Sequence, residues 1–235
     1  MLRQTARPMR RARAPLAGLA AAAVLAAILA LGLPGGRAGA VADAHHAAPG
    51  ASAVPATKVT LHRTMRRLWE EHIVWTRMVI VDVAAGSPGL SASVPRLLRN
   101  QADIGTAIAT FYGRPAGAAL TRLLRGHILI AADVLVAAKA GDGPALARAQ
   151  KRWDVNGRQI ADFLATANPT SWPRSEMRQM MRDHLRFTTD EAVARLTGKW
   201  SADIRAFDAV HVQALHMADM LSDGIVSQFP ERFRR

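Results

Sequence analysis

The stretch 61–83, LHRTMRRLWEEHIVWTRMVIVDV, decides how the rest of the chain is read. At about 100° per residue around a helix axis, Leu61, Met65, Leu68, Trp69, Trp75, Val79 and Val83 share one face. His72 falls at the centre of that face, with Thr76 one turn on. Arg63, Arg66, Arg67, Glu70 and Arg77 fall on the other side. The pattern predicts a long amphipathic helix with an imidazole aimed at the core. An unpaired buried polar group costs about 1–3 kcal/mol. His72 therefore needs a partner, and that partner is the key to function.

The same period recurs along the chain. It predicts helices over about 59–84, 93–111, 115–140, 144–167, 172–198 and 201–229. Between them stand Gly86-Ser87-Pro88-Gly89, Tyr112-Gly113-Arg114-Pro115, Gly141-Asp142-Gly143-Pro144 and Asn168-Pro169, which break helices. No window alternates as a strand would. Short turns between long helices make neighbours antiparallel. The expected fold is an all-α, up-and-down helical bundle of four long helices with two packed alongside, spanning 58–235.

The inward faces carry further polar groups. His127 sits among Leu120, Leu124, Ile130 and Val134, and Gln101 among Leu97, Ile104 and Ile108. On the helix over 172–198, Met177, Met180, Met181 and Phe187 share a face with His184, Thr188, Glu191 and Arg195. Asn156 lies at the margin of the stripe Leu146, Trp153, Ile160, Leu164, and His211 borders that of the last helix. A weak internal echo pairs His72-x-x-Trp75-Thr76 with His184-x-x-Phe187-Thr188, and Ala102-Asp103-Ile104 with Ala202-Asp203-Ile204. As a diverged duplication it would set His72 against His184 across a pseudo-twofold axis.

Inward imidazoles on separate helices of a bundle suit a transition metal, zinc, iron, copper, nickel or manganese. The expected ligands are His72, His127, His184 and Glu191. Thr76 and Thr188 would orient the rings, Gln101 would hydrogen-bond within the site, and His211 would lie at its edge. The rival reading is a structural or interaction module in which these groups pair only with one another. A small organic ligand, a haem, or an enzyme using His72 or His184 as general base on a small substrate are weaker alternatives.

Other chemistry is excluded or poorly supported. There is no cysteine, which removes disulfides, thiolate catalysis and CxxCH haem attachment. Glu-x-x-His and HExxH are absent, against diiron-carboxylate and zincin sites. GxSxG, GxGxxG and GxxxxGK[ST] are absent as well. Met177, Met180 and Met181 suit copper(I), or equally a packed core. His216, Asp219 and Asp223 on one face suit an exposed cation, or equally a solvated surface.

The formal charge is +13, but six arginines and no acid lie in residues 1–40. The remainder shows no basic cluster interleaved with aromatics, so no nucleic-acid partner is expected. A basic start to Arg13, an apolar run to Leu33 and Ala38-Gly39-Ala40 form a secretory-signal pattern. The expectation is a cleaved signal over 1–40, a flexible linker over 41–57 holding His45-His46, and a periplasmic or secreted domain without stable membrane insertion. An uncleaved anchor is the alternative. A homo-oligomer stays open.

The segments LWEEHIVWTR, LLRNQADIGTAIATFYG, LTRLLRGHILIAADVL and MADMLSDGIVSQFP resemble those of a family of all-helical bacterial proteins, exported and unexported. The resemblance covers about residues 61–230. Its motifs contain His72, Gln101 and His127, and it carries over no activity. Some members bear automatic names such as glycosyltransferase or acetylglutamate kinase, for which this sequence has neither a phosphate loop nor alternating strands and helices.

Overall fold

The computed structural model describes residues 57–233. The segments expected as signal and linker, with His45-His46, lie outside these residues except for Thr57. Six helices follow in order: α1 (Lys58–Ala85), α2 (Leu90–Tyr112), α3 (Arg114–Ala140), α4 (Gly143–Ala167), α5 (Arg174–Leu196) and α6 (Trp200–Gln228), then a 3-10 turn (Pro230–Phe233). Among the described residues there is no strand, and no helix is long and apolar enough to cross a membrane.

Local chemistry sets the ends. Thr57 Oγ1 accepts from the Thr60 N–H (3.0 Å) and starts α1, and Asp142 does the same for α4 through Ala145 (2.9 Å). Gly86 (φ 67°) and Gly141 (φ 67°) close α1 and α3 in the left-handed conformation that a side chain disfavours.

Each helix packs on its sequence neighbours, and α6 returns to pack on α1, so the up-and-down bundle closes into a ring. The six helices have 23–29 residues. The odd helices α1, α3 and α5 also touch one another. They form an inner triangle, and α2, α4 and α6 fill the gaps outside it. One apolar cluster holds Met65, Trp69, Leu124, Ile160 and Leu221; another holds Val79, Ile80, Leu97 and Leu135. His72, His127 and His184 lie between these clusters along the inner helices.

The α2–α3 crossing is the tightest contact. A Cβ on Gly117 would stand 2.4 Å from the Gly105 carbonyl oxygen and 2.6 Å from Ala109 Cβ. A Cβ on Gly157 would meet Leu185 at 3.5 Å and Met181 Cε at 3.7 Å, ordinary contacts. Gly117→Ala is expected to destabilise the fold by about 1–3 kcal/mol through overpacking. Gly157→Ala is expected to stabilise it by up to about 1 kcal/mol through helix propensity. Urea denaturation of the two variants checks the pair, and equal effects would contradict it.

Candidate functional site

Three imidazoles meet inside the triangle. His72 on α1, His127 on α3 and His184 on α5 are each at most 4% exposed. The ring centroids of His72 and His184 are 5.9 Å apart, and those of His127 and His184 are 6.0 Å apart. His72 does stand beside His184, and His127 joins the same group, with His184 adjacent to both. Asp103 and Asp203 do not correspond: Asp103 is exposed and Asp203 is buried.

Each ring leans on an amide from the next helix. His127 Nδ1 lies 2.8 Å from Asn156 Oδ1, and Asn156 Nδ2 donates to the Leu123 carbonyl, 3.1 Å. His184 Nδ1 lies 3.1 Å from Gln213 Oε1, and Gln213 Nε2 donates to the Met180 carbonyl at 3.4 Å. In both cases the carbonyl served is four residues before the histidine. On α1 two side chains divide the task. Asn100 Nδ2 donates to the Leu68 carbonyl (3.0 Å), also four residues before its histidine. Gln101 gives its Nε2 to Leu97 and Asn100, which leaves Oε1 for His72. Gln101 Oε1 and His72 Nδ1 are both buried without a partner at hydrogen-bond distance, yet the amide lies near enough to favour the charged ring.

These amides fix the tautomer. A donating amide nitrogen turns the amide oxygen toward the imidazole, so Nδ1 must carry the hydrogen. Burial holds His127 down to about 3, with the nearby His184 adding to the effect and Asn156 opposing it. Burial likewise lowers His184, and lowers His72 well below the ordinary range, with His184 and His127 contributing. Burial thus favours the neutral form of all three rings, and for His127 and His184 the amide contact makes Nε2 the bare nitrogen. On those two rings it has no hydrogen-bond partner among the described residues. All three rings line a cavity of about 10 Å³ with Trp69, Leu124, Met181 and Met217. That is about the space one water molecule needs. Above the rings, Thr76, Ala131 and Thr188 begin a second, apolar cavity of about 70 Å³ that Trp153 also lines.

Other expected members stand elsewhere. Glu191 belongs to a separate ionic cluster with Arg77 (2.9 Å), Asp203 and Arg195, because α6 covers that flank of α5 and brings Asp203 inward. Burial pushes Glu191 up to about 7 against the pull of Arg77, whereas for Asp203 the bonds to Arg77 and Arg195 outweigh burial. Arg77 is thus turned into the fold, not out from it. Thr76 and Thr188 bond the backbone carbonyls of His72 (2.7 Å) and His184 (2.9 Å), not the rings. His211 stacks on Phe207 and pairs with Glu70 at 3.3 Å on the outside of the bundle. Asp219 lies against Arg66 and His62, and Asp223 against His62, so the surface carboxylates considered for a cation already have side-chain partners. Among the described residues no three histidines or carboxylates already stand within bonding reach of one ion.

Asn156 and Gln213 complete the site, and sequence reading passed over their part in it. The signal was an interval: Asn156 follows His127, and Gln213 follows His184, by 29 residues. Gln101 follows His72 at the same interval. None of the family models, curated proteins or solved structures compared with the chain matches it.

A neutral buried ring makes stability depend on pH. Unfolded histidines take up protons near pH 6.5, whereas the folded rings do not until far lower. The unfolded state then holds more protons, so stability falls as pH drops. Glu191 works in the opposite sense, since it holds its proton in the fold up to about 7. His127→Asn removes one uptake. Between pH 6.5 and about 3 its stability curve should be shallower than the parent's by about 1.4 kcal/mol per pH unit. Urea titrations across that range check this, and parallel curves would contradict it.

Proposed function

We propose that this chain is an exported helical-bundle protein whose buried imidazole triad holds a single transition-metal ion. One observation carries the reading. Amide oxygens hold Nδ1 of His127 and His184, which leaves their Nε2 lone pairs free, and both rings line one shared cavity with His72. Lone pairs gathered in an apolar core need a donor or a cation. Neutral imidazole with its other nitrogen held by a carbonyl is the arrangement metal-ligating histidines adopt. With ligand bonds of about 2.0–2.1 Å, rings on a tetrahedral ion stand about 5.2 Å apart by centroid. The observed 5.9–6.0 Å calls for an inward shift of under about 1 Å in that separation. Export rests on the basic, apolar and small-residue pattern of residues 1–40.

A second reading is a structural network, favoured by the wider spacing and by a cavity matched to one water. A water could donate to two lone pairs, and the triad would then specify helix register alone.

Elemental analysis of the purified full chain, after exposure to zinc(II) or copper(I) and dialysis, separates the two. The metal reading predicts about one ion per chain and a melting temperature raised by the ion. His127→Asn should lose both. Protein that stays free of metal, with melting unmoved by metal or chelator, would contradict the metal reading and leave the network.

A further inference from the structure

We infer that the ion held by the triad is copper(I), with the thioethers of Met181 and Met217 beside it. This rests on the metal reading above and narrows it. Three observations point the same way.

The first is charge. No carboxylate lines the cavity: the one expected to complete the shell, Glu191, is committed to Arg77 in a different cluster. Apart from the imidazoles, the lining is Trp69, Met181, Met217 and aliphatic side chains. A cation entering there keeps its whole charge in an apolar medium, and that cost rises as the square of the charge. A monovalent ion is favoured over zinc(II), iron(II) or manganese(II).

The second is softness. Hard ions take oxygen ligands, whereas thioethers and imidazoles suit copper(I). Met181 lies three residues before His184 on α5, and Met217 lies four residues after Gln213 on α6. Both thioether-bearing side chains line the cavity with the three imidazoles.

The third is spacing. At a fixed metal–nitrogen length of about 2.0–2.1 Å, rings around a trigonal ion stand about 5.5 Å apart, about 5.2 Å around a tetrahedral one and about 4.5 Å around an octahedral face. The two separations to His184, 5.9 and 6.0 Å, exceed all of these and come nearest to the trigonal one. The cavity of about 10 Å³ also leaves little room for the water or anion with which zinc(II) would fill a fourth position.

The test is an anaerobic titration of the full chain with copper(I) against a chromophoric copper(I) chelator. It runs beside a titration with zinc(II) against a chromophoric zinc chelator. One copper(I) per chain is expected, bound at least about 100-fold more tightly than zinc(II). His127→Asn should lose it, which separates the triad from His45-His46. The Met181→Leu/Met217→Leu double variant keeps core volume. It should weaken copper(I) about tenfold and leave zinc(II) unchanged, with an unaltered melting temperature for the metal-free protein. Zinc(II) binding as tightly as copper(I), or copper(I) binding indifferent to the methionine changes, would overturn this inference and leave a metal site standing. If the parent chain takes up neither ion, or if His127→Asn binds copper(I) as well as the parent, the metal reading beneath it falls too.

Discussion

One amide used at both ends is the constraint from which the rest of the site follows. Asn156 gives its nitrogen to the Leu123 carbonyl and its oxygen to His127. Neither end can be reversed without placing two acceptors, or two donors, face to face. The amide therefore sets which imidazole nitrogen carries hydrogen, and so which is bare. Gln213 repeats this for His184. Beside His72, Asn100 serves the Leu68 carbonyl and Gln101 turns its nitrogen to Leu97 and Asn100, with its oxygen near the ring but beyond hydrogen-bond distance. A charged ring would add an Nε2–H donor in a region of aliphatic and aromatic side chains, and burial is the main reason all three rings stay neutral.

The ring of helices makes the three units converge. Closure of α6 on α1 places the odd helices inside and gives each histidine an amide from the helix that follows it. Trp69, Leu124 and Met181 each precede a histidine by three residues and floor the lower cavity; Thr76, Ala131 and Thr188 each follow by four and begin the upper one. The rings thus form one layer of a regularly stacked core. Close backbone approach at Gly105 and Gly117 draws α2 onto α3, and α2 carries the amides facing His72.

The helical period was enough to turn His72, Gln101, His127 and His184 inward, because each lies mid-stripe and core burial decides its direction. It was not enough for Arg77, Glu191 and Asp203. A helix wheel treats a flank as solvent, and only the docking of α6 onto α1 and α5 shows that this flank is covered and ionic. Thr76 and Thr188 fell on the right face, but a threonine inside a helix has its own carbonyl four residues back as the nearest acceptor. Asn156 at the edge of its stripe looked marginal because one helix alone does not reveal that its amide bridges two groups on another. The twofold echo matched local composition. The equal interval from each histidine to its amide was the stronger regularity, and it spans a helical turn that no single-helix pattern crosses.

The most direct measurement is the tautomeric state of the three buried histidines. In a long-range proton–nitrogen spectrum of the nitrogen-15-labelled protein at neutral pH, metal-free, His72, His127 and His184 should appear as neutral Nδ1–H tautomers, with Nε2 shifted as an unprotonated nitrogen. Assignment by His127→Asn and its counterparts identifies each ring. Spectra showing these rings as Nε2–H tautomers, or as imidazolium, would contradict the account at its base.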